Sequence, residues 1–513
     1  MTPEELEAEY LRGEFTLKSE FMKSNYKREE TLTRCERYAG WTLPNVFPDD
    51  PLMEYDEMQN DYQSVGAQAV IHLANKIMMT LFQPSHPFFK MELDSEQKAL
   101  LETEGFSQAD IEAALAKAER QAMHELTKVN ARVVLTDVIQ HLIIVGNTLL
   151  HAPTKGNMQN YSLRDYIIIR DLQGVPVKLI VRETKAVEGL TDKLAKAAKE
   201  HNYAADAEVT LYTCILRVKP DRYIVWQEME DVCYCHEKMG SYTADTLPWI
   251  PLTWNLCRNK DMGTGHVENY AGDFHSLSTF AEAILDYSTI VTDVKYLVDP
   301  AGMTDVKELN EAQSGSYVTG REGDVFPHAA NVQDATQFLE GRFESIVRRI
   351  GAAFLMNTAV TRDAERVTAE EIRMQAQELE GSLGGVYSRL ATELQLPLAK
   401  RILKKLNPVF KDVEPVIVTG LESLSRNSEL DRMRFFFRDL IALSDVPEQV
   451  AERIDYGNLI SVLGAGHGIE FNKFLKPDEQ VKQEQKERAA LNADAAGQEA
   501  GAVAQAQNNV QQQ

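Results

Sequence analysis

The chain has 513 residues, 44% hydrophobic and 26% charged, the balance of a soluble globular protein long enough for several domains. Its 78 acidic against 54 basic residues leave a net charge of −24, which by itself argues against a tight nucleic-acid binder, since phosphate neutralisation supplies most non-specific affinity. The longest apolar zone, 133–150, is broken by Asp137, His141 and Asn147, so it reads as a buried helix and not as a membrane span of about 20 apolar residues. The five scattered cysteines are read as reduced thiols of a protein made in a cytosol. The acidic start, Met1-Thr-Pro-Glu-Glu5, is read as lacking a signal peptide.

In chain order, residues 1–94 read as helical, with Trp41-Thr-Leu-Pro-Asn-Val-Phe-Pro48 as an apolar loop. Residues 95–152 are predicted to hold two or three helices. Residues 160–254 are strand-rich: 166–169, 175–181 and 209–218 are β-prone, and Lys219-Pro-Asp-Arg222 turns a hairpin back through 223–226. One helix, at about 184–201, is predicted to interrupt these strands.

The strongest patterning follows. Leu277, Phe280, Ala281, Ile284, Ser288, Val291 and Val294 recur at a 3–4 spacing, one face of a helix that must stop before Asp299-Pro300. Residues 303–326 carry turn signals around a β-prone Tyr317-Val-Thr319. Val332, Ala335, Leu339, Phe343, Ile346, Ile350 and Phe354 mark a second helix. Residues 357–367 are polar and aperiodic. Thr368-Ala-Glu-Glu371 is a capping box that should start another helix, with Ile372, Ala376, Leu379 and Leu383 on its apolar face. Gly384-Gly385 weakens that helix and Pro397 should kink it. After Gly420 a helical bundle containing Phe435-Phe-Phe437 is expected, and from Asp478 the Gln-, Ala- and Glu-rich chain reads as a helix fraying into disorder. The fold class expected is mixed, mainly α with one strand-rich region. A helix pair flanking a small non-helical unit suits assembly; the plainer alternative is an ordinary helical subdomain with a β insertion.

A set of strings adds to this pattern. They are Asp299-Pro-Ala-Gly-Met-Thr304, Glu311-Ala-Gln-Ser-Gly-Ser-Tyr-Val-Thr-Gly-Arg321, Glu365-Arg-Val-Thr-Ala-Glu-Glu-Ile-Arg373, Leu383-Gly-Gly-Val-Tyr387 and Glu393-Leu-Gln-Leu-Pro-Leu398. Tyr62-Gln-Ser-Val-Gly-Ala67, Val145-Gly-Asn147 and Arg170-Asp171 lie upstream in the same order. Over roughly 26–475 the chain thereby resembles the portal proteins, or head-to-tail connectors, of short-tailed bacteriophages of podovirus and autographivirus type. The resemblance implies a wing at 1–272, a stem helix at 273–297, a clip at 298–330, a second stem helix at 331–356, a channel loop at 357–367, a kinked wing helix at 368–420, a helical crown at 421–477 and a disordered tail at 478–513. It also implies a dodecameric ring of identical subunits in the virion, made in the host bacterial cytoplasm. Such a ring would start head assembly, pass double-stranded DNA inward under the terminase motor and outward on ejection, and hold the tail. The implied partners are the major capsid and scaffolding proteins, the large terminase subunit, tail adaptor proteins, internal core proteins and DNA met without sequence specificity. No cofactor, enzymatic activity or membrane insertion is implied. Under the resemblance, the acidic total suits DNA that must slide and not stick.

The channel loop would carry Arg362 and Arg366, two circles of positive charge that could touch phosphates briefly without reading bases. Alternatively, Arg366 pairs with Glu365 or Glu370 and is structural. Other motifs have plain readings. Cys233-Tyr-Cys235-His236 lacks a second ligand pair at zinc spacing and reads as half-buried thiols beside a strand. Gly263-Thr-Gly265 and Gly464-Ala-Gly466 lack the dinucleotide fingerprint, and no P-loop signature occurs. His72 and His141 read as core or edge histidines, and His236 and His467 have no paired nucleophile. Two classes of function remain: a ring-forming assembly protein, and a soluble enzyme or metal-binding protein with a site near Cys233 to His236. Native mass separates them.

Overall fold

The computed structural model describes residues 16–48, 60–82, 87–93, 107–128, 131–153, 156–190, 192–200, 202–229, 233–234, 240–292, 295–328, 333–356, 369–405 and 416–419, with Met58, Glu96, Gln97, Leu101, Thr103 and Arg438 as isolated positions. All but Arg438 belong to one unit, Met1–Leu424; Ser425–Gln513 forms a second. The bundle expected at 421–477 and the tail at 478–513 therefore lie outside the described residues, Arg438 apart.

Helix α1 (Leu17–Lys27) opens at Thr16, whose hydroxyl accepts from the Ser19 amide and so satisfies an orphan donor. It is followed by α2 (Glu29–Gly40) and by α3 (Val65–Leu81), an apolar helix. Strand β1 (Phe89–Glu92) precedes α4 (Gln108–Lys128) and α5 (Ala131–Ile144). Leu135, Val138, Ile139, Leu142 and Ile143 of α5 are wholly buried, and α3 packs on this helix. Strands β2 (Asn147–His151) and β3 (Gln159–Tyr161) follow, then β4 (Tyr166–Arg170) and β5 (Pro176–Ala186). Helix α6 (Asp192–Glu200) leads to β6 (Glu208–Lys219), β7 (Arg222–Met229), β8 (Cys233–Tyr234), β9 (Gly240–Thr243) and β10 (Trp249–Thr253).

Strands β4 to β8 form an antiparallel sheet in chain order, with β9 also paired to β7. Side chains alternate across a strand, so the two faces of this sheet enter different cores. Ile167, Ile180, Tyr212, Cys214, Ile224 and Trp226 pack with Leu17 and Phe21 of α1. Their neighbours Ile168, Leu179, Val181, Ile215 and Val225 face the main core with α5, β2 and β10. The α1 amide of Leu17 donates to Glu228 Oε2 at 2.9 Å, which ties the helix start to β7.

After β10 come α7 (His266–Asn269), α8 (Ala271–Thr292), β11 (Lys295–Val298), α9 (Val306–Glu311), β12 (Val325–His328) and α10 (Gln333–Ala353). Helices α11 (Ala369–Leu383) and α12 (Val386–Leu390), a π-helical turn (Ala391–Gln395), α13 (Leu396–Lys405) and β13 (Val416–Thr419) complete the unit. Among the described residues no helix is long and apolar enough to cross a membrane.

Several expectations are corrected, mostly because a remote partner overrides local propensity. The region 1–94 is not wholly helical, since Phe89–Glu92 pairs antiparallel with Val416–Thr419. The apolar zone 133–150 is not one helix: α5 ends at Ile144, Gly146 takes a φ of +79°, and Asn147–His151 pairs with β10. The helix expected over 184–201 is confined to Asp192–Glu200, because Thr184 to Ala186 extend β5 against Glu208 to Thr210 of β6. The first patterned helix stops at Thr292, and Lys295–Val298 is a strand paired with Val325–His328. Tyr317 to Thr319 form no strand. The long kinked helix is cut outright at Gly384 and Gly385, whose φ values of +63° and +87° no helix accommodates. Its Pro397 sits just after the π turn, the wider coil tolerating a residue with no amide to give.

Gly265 lies where two backbones cross. A Cβ on Gly146 would sit 2.3 Å from the Gly265 nitrogen, and one on Gly265 would sit 2.5 Å from the Ile144 oxygen. The glycines of 263–265 thus serve close approach. Asn147 seals the crossing, donating to the Gly263 carbonyl and accepting from its amide, both at 2.7 Å.

Candidate functional site

Directly after this crossing, α7 and α8 begin, and the root of the α8–α10 pair is built on aromatics. The buried Phe354 ring lies 4.8 Å from His266, 5.6 Å from Phe274 and 6.0 Å from Tyr270. Leu277, Ile346 and Ile350 continue the apolar seam, and Arg349 pairs with Asp273 at 2.6 Å on its rim. Burial pushes the His266 imidazole pKa down, and its Nε2–H donates to the Ala353 carbonyl at 3.0 Å, so a neutral ring is held inside the root. A cavity of about 300 Å³ beside the Gly384–Gly385 break touches Trp254, His266, Tyr270 and Arg389. Arg389 spends one guanidinium nitrogen on the Trp254 carbonyl at 2.8 Å, so it and His266 act as struts of this junction.

The predicted stripe is buried only near the root. Phe280, Ile284 and Phe343 are half-buried, and Leu285 is 56% exposed. Beyond the helices, β11 and β12 form a sheet of two strands, and Tyr296, Leu297 and Phe326 on it are more than half exposed. Isolated two-stranded sheets are marginally stable, so the connecting segment needs its own clasp. Asp324 provides it. One carboxylate oxygen accepts from the Met303 amide at 2.8 Å, the Thr304 amide at 3.1 Å and the Thr304 hydroxyl at 2.9 Å. The Thr304 hydroxyl oxygen accepts in turn from the Arg321 amide at 3.1 Å. The Thr304 hydroxyl bond, with the amide bonds beside it, holds the Asp324 carboxyl below the usual carboxylate range. The sequence signals only a turn at 321–324; the clasp joins residues some twenty positions apart, and no local signal marks it.

Helix α10 ends with Leu355 in the left-handed region at a φ of +58°, and its carbonyl oxygen lies 3.1 Å from His72 Nε2. A buried leucine at positive φ is a firm stop, since its Cβ crowds the backbone there. The chain then enters 357–367, so Arg362 and Arg366 lie outside the described residues, as does the capping residue Thr368. Cys233 pairs opposite Met229 in the sheet, while Cys235 and His236 lie outside the described residues. Among the described residues no group of three His, Cys, Asp or Glu side chains could hold a metal ion. His141 is buried, with Nδ1 2.9 Å from the Asp137 carbonyl oxygen.

The family model for bacteriophage head to tail connecting protein matches residues 15–473. The portal protein of Enterobacteria phage SP6 is 32% identical over 480 residues, covering 92% of this chain and 92% of that protein. The portal protein of Enterobacteria phage T3 is 32% identical over 506 residues, covering 94% of this chain and 93% of the relative. That of Escherichia phage T7 is 32% identical over 505 residues, with 96% and 93% covered.

Proposed function

Because the chain belongs to the family of bacteriophage head-to-tail connecting proteins, it is a portal protein, a structural part of the phage particle and not an enzyme, and we propose that its copies close into a dodecameric ring at one capsid vertex. The observation that carries the ring is the α8–α10 pair. Its apolar seam is buried at the root and only half covered farther out, where a neighbouring copy would complete it. An interface between identical subunits of this kind is heterologous and closes when the rotation per subunit divides a full turn.

In this reading α8 and α10 are the stem, 298–330 is the clip, and the residues before 273 with α11 to α13 make the wing. The clip meets the large terminase subunit during packaging and tail adaptor proteins afterwards; the crown at 421–477 faces the internal core proteins. Capsid and scaffolding proteins surround the ring, and double-stranded DNA passes through it. Arg362 and Arg366 of the channel loop touch its phosphates in passing, without sequence preference. The subunit is made in the host cytoplasm.

Negative-stain images and the native mass of the purified chain test the ring; a monomer or small oligomer at micromolar concentration overturns it. Replacing 298–330 with a short Gly-Ser linker tests the clip, and linker rings that still bind the terminase refute that assignment.

A further inference from the structure

The tip of the β4–β5 hairpin is rigid and projects a bare leucine. The Asp171 carboxylate accepts from the Gln173 and Val175 amides, both at 2.9 Å, while Arg217 clamps its other oxygen at 2.5 Å. Backbone bonds between Asp171 and both Gly174 and Val175 close the turn, with Gly174 at a φ of +84°. The loop 255–264 is fixed beside it. The Asn255 carbonyl accepts from the Thr264 amide at 2.8 Å, and Asp261 accepts the Arg170 amide at 2.8 Å and its Nε at 3.1 Å through its carbonyl. These bonds weld hairpin and loop into one platform. On it Leu172 is 85% exposed, and Arg258 and Lys260 are exposed without an ion pair among the described residues.

A turn immobilised to this degree around an exposed leucine has already lost the freedom that docking would otherwise remove, the property of an interface anchor. Arg258 and Lys260 thus give the platform two cations beside the single exposed carboxylate of Asp261, in a chain of net charge −24. The surface it fits is therefore an apolar recess bordered by carboxylates, and a second copy of this chain, with 78 acidic against 54 basic residues, supplies the matching excess of negative charge. We propose that the platform of Leu172, Arg258 and Lys260 is an anchor of the contact between neighbouring subunits, inserting Leu172 against the acidic flank of the next copy. This rests on the ring reading above and names part of its interface.

The test uses full-length protein. Leu172→Glu and the pair Arg258→Glu with Lys260→Glu are compared with wild type by sedimentation velocity and native mass over a dilution and salt series. Because these side chains are exposed, the thermal melt of the dissociated subunit should match wild type in both variants. The expected result is that Leu172→Glu dissociates at protein concentrations at least tenfold higher than wild type. The charge pair should fall apart at lower concentration of salt than the wild-type ring requires. Variant rings as resistant to dilution and salt as wild type overturn the proposal while leaving the ring reading intact. Intact variant rings that no longer enter phage heads also overturn it, assigning the platform to the capsid. A wild-type chain that forms no ring refutes the ring reading itself.

Discussion

Phe354→Ala tests whether the aromatic root holds the α8–α10 pair to the body. The Phe354 side chain is wholly buried among Phe274, His266 and Tyr270 at the distances of ring packing. Removing a buried phenylalanine ring costs about 3–5 kcal/mol, the transfer loss plus the cavity left behind. Three ring partners and Ile350 at 0% exposure leave little room for collapse, so a value of about 4 kcal/mol is expected. Since about 1.4 kcal/mol is a factor of ten, local opening of the root should become easier by roughly a thousandfold. A chain of two units is not expected to unfold in one step, so hydrogen exchange is the suitable assay. Amides of Ala271–Thr292 and Gln333–Ala353 should lose protection together, while those of β5 and β6 keep theirs. Phe343→Ala, farther out and half-buried, should cost only about 1–2 kcal/mol. Unchanged protection in Phe354→Ala, or an equal loss in Phe343→Ala, refutes the root as the anchor.

Asp324 has a lowered folded pKa, so its clasp is fully present above the ordinary carboxylate value of 3.8 and is lost as the pH falls through the folded value; protease cleavage within 299–324 should rise on acidification, and Asp324→Asn should cleave readily at every pH. Should wild type and Asp324→Asn cleave alike at neutral pH, the clasp has no hold on the segment. Gly146→Ala places a Cβ 2.3 Å from the Gly265 nitrogen at a φ of +79°, so soluble yield should fall sharply, whereas Gly189→Ala, with open space around it, should express as wild type. The double change Arg362→Ala with Arg366→Ala should leave rings intact and shorten or loosen packaged DNA in an assembled system; full-length, stably held genomes would remove the DNA contact, and loss of rings would make the arginines structural.

The helices of the pair were readable because their signal is local. Leu277, Phe280 and Ile284, or Phe343, Ile346 and Ile350, lie within a few residues of one another, and their spacing alone sets one face of a helix. The family, too, was legible, since ordered strings such as Asp299 to Thr304 and Leu383 to Tyr387 need no folding to be compared, and the match over residues 15–473 agrees. Strand ends were less so. Nothing near Lys295 or Phe89 tells that the partners are Val325–His328 and Val416–Thr419, because strands are stabilised by pairing across the chain. Gly384 and Gly385 looked like a weak spot, yet whether a glycine pair bends or ends a helix depends on the φ it is made to adopt, and here both are positive. The Asp324 clasp, the aromatic root and the rigid platform beneath Leu172 were invisible for the same reason: each joins residues brought together only by the packed fold. Composition and periodicity thus determined which segments could hide an apolar face, while the tertiary structure decided which polar groups meet, since a hydrogen bond depends on distances of about 3 Å that no one-dimensional pattern encodes.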